Sequence, residues 1–84
     1  MYEVLIERTA ERELRSLSAD ISQRIIPRVK ALAENPRPAG CHKIAGAKNA
    51  WRIRIGDYRV VYEVDDRKRI VRIFRIRHRR EVYR

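Results

Sequence analysis

Seventeen of the chain's 21 basic residues are arginine. Five of these, Arg52, Arg54, Arg59, Arg75 and Arg77, stand in C-terminal segments where charged and apolar residues alternate. Period-two alternation sends successive side chains to opposite faces of a strand, so such segments present guanidinium on one side and apolar groups on the other. The planar guanidinium matches phosphate oxygens two at a time and stacks on base planes, which makes a polyanion, and nucleic acid first, the expected partner. Five like charges on one face repel one another unless an anion joins them. The competing arrangement pairs some of them with Glu63, Asp57 or Glu81, or lets them snorkel outward.

Other chemistries find little support in the residue types present. His42 and His78 are the only histidines, Cys41 is alone, and no paired acidic motif lies near the arginines, so neither a metal nor another cofactor is expected. Cys41 and His42 read as loop residues. No Gly-rich phosphate loop follows a strand, and there is no nucleophile elbow. Metal-free phosphate chemistry remains. Cleavage of RNA by its own 2′-hydroxyl needs a base for the hydroxyl proton, cations for the pentavalent phosphate and an acid for the leaving 5′-oxygen. Arginine supplies only the cations, because it does not give up its proton. Near the arginines the titratable candidates are His78 and Tyr83, with Lys43 more distant.

The elements that must position these residues follow from pattern. Tyr2 to Arg8 is rich in β-formers and ends at Thr9, an N-cap residue, which predicts a strand followed at once by a short helix to about Leu17, with Ala10, Leu14 and Leu17 on its apolar face and Glu11 and Glu13 favouring the helix dipole. Ser18 offers a second N-cap, and Ile21, Ile25, Val29, Leu32 and Ala33 predict a long helix to about Glu34, bent at Pro27. Asn35, Pro36, Pro38 and Gly40 end it, and residues up to Ala50 read as a loop with an extended piece at Lys43 to Ala45. Three antiparallel strands follow, from Trp51, Tyr58 and Arg69. Gly56-Asp57 suits a two-residue type II′ turn that pairs Arg54 with Arg59. A three-residue second loop, Asp66 to Lys68, would put Ile70, Phe74 and Ile76 in the core and Arg75 opposite Arg59. The expected fold is α+β: a strand, two helices and a three-stranded meander, with the helices packed on one sheet face and the basic face open.

The 84 residues allow one small domain, 1–84, and their 44% hydrophobic content is that of a globular protein despite a formal net charge of +10. That charge is uneven, +3 over residues 1–50 and +7 over 51–84. Apolar runs of two or three residues exclude a membrane-spanning helix. Glu3, Glu7 and Arg8 stand where a signal peptide would be apolar, so the cytoplasm is the expected compartment.

The segments His78-Arg79-Arg80-Glu81-Val82-Tyr83-Arg84, Trp51-Arg52-Ile53-Arg54 and Gly56-Asp57-Tyr58-Arg59-Val60-Val61-Tyr62, with Ala31-Leu32-Ala33-Glu34-Asn35-Pro36 and Lys43-Ile44-Ala45-Gly46, together resemble the RelE family of toxins over nearly the whole chain. The resemblance implies a type II toxin that cuts messenger RNA in the A site of the 70S ribosome, leaving a 2′,3′-cyclic phosphate. It also implies a RelB-like antitoxin through which the complex meets operator DNA. By position, Arg52 and Arg54 match basic residues of the central strand, Arg59 the phosphate-stabilising arginine, Arg77 the last-strand arginine, Tyr83 the C-terminal tyrosine and His78 a histidine of some branches. Positions 52 and 54 are lysines in the best-known branch, where one is thought to be the base, whereas another branch uses a glutamate before the central strand. Neither is present here. The expected roles are therefore His78 as base or relay, Arg59 and Arg77 on the scissile phosphate, Tyr83 stacking or assisting proton transfer, and Arg52, Arg54, Arg75 and Lys43 binding substrate. Two alternatives are a gyrase poison like the related ParE toxins and a non-catalytic binding module.

Overall fold

A computed structural model describes residues 1–78, which form β1 (Glu3–Ile6), α1 (Arg8–Arg15), α2 (Ala19–Ala31), β2 (His42–Lys43), β3 (Ala50–Ile55), β4 (Tyr58–Asp65) and β5 (Ile70–His78). This is the α+β fold expected from the pattern, with the helices on one face of a five-stranded sheet of order β1-β5-β4-β3-β2. β1 runs parallel to β5, and every other neighbouring pair is antiparallel. Two intervening helices and a meander supply the long connection that a parallel pair needs. Pro27 lies inside α2 without ending it. After Ala31 the helix tightens, with Leu32, Ala33 and Glu34 each donating to a carbonyl three residues back. The expected extended piece forms at His42–Lys43 rather than at 43–45.

Ile25, Val29 and Leu32 recur at four- and three-residue steps on α2 and its exit, and Ala10 joins them from α1. They pack on Ile53, Val60, Tyr62, Ile73 and Ile76, all about 1% exposed or less. Removing each such side chain from water stabilises the fold by about 1.5–3 kcal/mol. Tyr62 keeps its hydroxyl satisfied by donating to the Pro36 carbonyl at 2.7 Å, which pins the chain after α2 to the sheet. Burial of that phenol pushes its pKa well above the ordinary tyrosine value.

The first hairpin forms in the predicted register, Ile55 with Tyr58 and Arg54 with Arg59. Gly56 has φ 60° while Asp57 does not share the positive φ, as a type II′ turn requires. The second hairpin differs. Asp65 pairs with Ile70, so four residues form the loop. The Asp65 carboxylate accepts from the amides of Arg67 at 3.1 Å and Lys68 at 3.0 Å, and Arg69 closes the turn at φ 56°. An even loop reverses the parity of β5, which puts Val71 and Ile73 in the core instead of Ile70. A β-bulge then changes the register: Tyr62 pairs with Ile73 but Val61 with Arg75, leaving Phe74 extra. Ile76 faces inward after all, Phe74 does not, and Arg59 pairs with Arg77 rather than Arg75.

Candidate functional site

Cross-strand partners lie on the same sheet face about 5 Å apart, so the register alone builds the basic surface. One row is Arg54–Arg59–Arg77 across β3, β4 and β5. Two residues along the strands lies a second row, His42–Arg52–Val61–Arg75. All five arginines expected on one face are therefore there, opposite the helices. Arg59, at the centre of the first row, is 8% exposed and the one buried charged residue among those described. Its Nη1 donates to the Tyr58 carbonyl at 3.4 Å, and Arg54 is held by a bond from Nε to the Gly56 carbonyl at 3.1 Å. His42, Arg52, Arg54 and Arg59 line a pocket of about 190 Å³. A buried guanidinium flanked by two others, beside an open pocket, can attract an anion with less screening than in water.

Among the described residues, a carboxylate that balances part of this charge comes from α1; Glu81 lies outside those residues. β1 covers β5 only from Ile70 to Ile73, and beyond it Glu13 closes the open edge. Its Oε1 accepts from the Ile76 amide at 2.8 Å, its Oε2 from Arg75 Nη2 at 2.9 Å, and Arg77 Nε approaches to 3.4 Å. With only 19% of its side chain exposed, this carboxylate fixes the directions of Arg75 and Arg77. The pattern of the chain assigned Glu13 only to the helix dipole; nothing in its spacing signals the contact with β5, 62 residues away.

Two other expected site residues are not brought to the arginines. His78 follows Arg77 on β5 and, by alternation, takes the helix-side face: it pairs with Tyr58, and their rings meet edge to face at 5.4 Å. Tyr58 itself packs against the core and lines a pocket with Ile21, Arg24 and Ile25 of α2. Lys43 pairs with Trp51 and is likewise one residue out of step with the arginine face. Tyr83 lies outside the described residues. Conversely, His42, which reads as a loop residue, is in strand β2 and in the pocket. The available signal was parity: once Lys43 is taken as extended against Trp51, His42 must share a face with Arg52. Among the described residues no group of three or more His, Cys, Asp or Glu side chains could hold a metal ion, and no helix is long and apolar enough to cross a membrane.

Comparison with known proteins follows the same lines. A family model described as ParE toxin of type II toxin-antitoxin system, parDE, matches residues 4–83. Among solved structures, the archaeal RelE–RelB complex from Pyrococcus horikoshii contains a chain 28% identical, with TM-score 0.82 over 93% of this chain and 94% of that one. The RelBE2 toxin–antitoxin complex of Mycobacterium tuberculosis gives 28% identity and TM-score 0.81 over 93% and 98% of the two chains. The isolated RelE toxin of E. coli gives 26% identity and TM-score 0.83 over 99% and 92%. No curated protein matches the chain.

Proposed function

The chain belongs to the ParE toxin family of type II toxin–antitoxin systems, and from that premise we propose that this toxin is a metal-free endoribonuclease that cuts messenger RNA in the ribosomal A site. The observation that carries the reading is the Arg54–Arg59–Arg77 row with Arg59 buried at its centre. In the reaction the 2′-hydroxyl of the RNA attacks the adjacent phosphorus, the bond to the 5′-oxygen breaks, and a 2′,3′-cyclic phosphate remains. Negative charge accumulates on the phosphate oxygens during the attack. Arg59 and Arg77 hold those oxygens, Arg77 being aimed by Glu13, while Arg52, Arg54 and Arg75 engage the neighbouring backbone. Tyr83 stacks on a base or assists proton transfer.

A RelB-like antitoxin covers this site when the toxin is held inactive and carries the complex to operator DNA. The Pyrococcus and Mycobacterium neighbours, both solved in toxin–antitoxin complexes, support such a partner. The substrate places the activity in the cytoplasm. A second reading, poisoning of DNA gyrase, is favoured by the ParE description of the matching family model, whereas the basic row and its pocket favour RNA.

Purified toxin added to translating ribosomes, with message 5′ ends mapped by primer extension, separates the two. Cuts at the A site are expected, reduced at least about 10²-fold in the Arg59→Ala, Arg77→Ala double variant. An intact message with a supercoiling defect would overturn the nuclease reading in favour of gyrase, and an intact message with neither effect would leave a binding module.

A further inference from the structure

The arginine pocket lacks a proton acceptor among its arginines, and the fold supplies one that the residue pattern did not single out. We propose that His42 is the group that takes the 2′-hydroxyl proton in this site, a proposal that rests on the nuclease reading above. Among the described residues four line the pocket, and His42 is the only one of those four that is not arginine. A neutral imidazole also carries a nitrogen that can accept a proton, which a guanidinium does not. Its place follows from the ladder: His42 is the register partner of Arg52, in the row next to Arg54–Arg59–Arg77. His42 is exposed, so its ring is accessible to a substrate at the pocket mouth. His78, by contrast, meets Tyr58 on the other side of the sheet.

The pocket volume of about 190 Å³ is below the roughly 300–1,000 Å³ of cavities that enclose whole small ligands. That size suits a phosphodiester group presented by a longer RNA. With the phosphate against Arg59, the buried end of the site, the ribose 2′-hydroxyl lies toward the exposed rim where β2 carries His42. The imidazole nitrogen takes the 2′-hydroxyl proton, the O2′–P bond forms, the P–O5′ bond breaks, and the leaving 5′-oxygen takes a proton from water. Among the described residues the charged groups that face His42 are Arg52 and Arg54 from β3 and Arg59 from β4; Cys41 and Lys43 flank it on its own segment.

The test is single-turnover cleavage on programmed ribosomes between pH 5.5 and 8, comparing the intact toxin with His42→Ala and His42→Gln. Both variants should cut about 10²-fold more slowly or worse, while co-sedimenting with ribosomes carrying a message 2′-deoxygenated at the A site within about twofold of the wild type. The wild-type rate should rise with pH, that rise should vanish in both variants, and added imidazole should rescue His42→Ala but not the bulkier His42→Gln. A wild-type rate in His42→Gln, or a pH rise that persists in it and disappears in His78→Ala, overturns the assignment while leaving the nuclease reading intact. Absence of cleavage by the wild-type toxin itself overturns both.

Discussion

Arg59 shows most clearly how a residue's worth to function and to stability can oppose each other. It is 8% exposed and has Arg54 and Arg77 directly opposite it on the two neighbouring strands. Like charges facing each other across a ladder are destabilising by a few tenths to about 1 kcal/mol. The row also sets three guanidiniums where one phosphate can meet them. Arg59→Met, similar in length and apolar, is expected to remove A-site cleavage while the toxin stays folded; primer extension and urea denaturation would check both halves. The alternation of residues 51–77 made the arginine face legible in advance, because a side chain's face depends only on parity. Whether each guanidinium has a carboxylate beside it does not, which is why Glu13 was not found.

Among the elements, β5 is where local rules gave way to tertiary ones. Its expected inward set, Ile70, Phe74 and Ile76, assumed an unbroken ladder. The four-residue loop and the bulge at Phe74 each shift the parity of β5 by one, and the two shifts cancel beyond residue 74. Arg75 and Arg77 thus keep the face that simple alternation gave them, by a different route. The edge of β5 beyond β1 is sealed by α1 through Glu13, which accepts from the Ile76 amide at 2.8 Å and from Arg75. Glu13→Ala should cost about 1–3 kcal/mol, since it leaves a partly buried amide and a guanidinium without their acceptor, and hydrogen exchange at Ile76 should accelerate. Glu13→Gln, which keeps an acceptor oxygen, should lose less.

At the scale of the whole molecule, distant parts of the chain meet at Asp66. Its carboxylate accepts from Tyr2 at 2.6 Å and from both terminal nitrogens of Arg37, the shorter at 2.7 Å, and Arg37 lies over the Trp51 ring at 5.2 Å. The start of the chain, the segment after α2, β3 and the β4–β5 turn are thereby tied together. The Arg37 hydrogen bonds, and then that of Tyr2, hold the Asp66 carboxyl below the ordinary aspartate value. The same contact with Asp66 raises Tyr2 above the ordinary tyrosine value. A carboxyl whose pKa is lowered in the folded state contributes stability that is present above its unfolded pKa, about 3.9, and lost as pH falls through the folded value. The stability difference between the wild type and Asp66→Asn should therefore be constant from about pH 5 to 8 and close below about pH 4. Thermal melts across that range would measure it, and a gap that persists in acid would show that the charge is not what matters. Because the group is exposed, added salt should narrow the gap as well.

Composition and period were enough to establish an α+β fold, the first hairpin register and the identity of the basic face, because hydrophobic periodicity and turn chemistry are local properties that tertiary packing here reinforces. The structure alone decided what surrounds that face. It brought His42 in from a segment with no periodicity, set His78 and Lys43 on the opposite side, and supplied Glu13 from a helix 62 residues away in the chain. Those outcomes depend on a two-residue strand, a bulge and an uncovered sheet edge, each the result of how elements meet rather than of how residues follow one another.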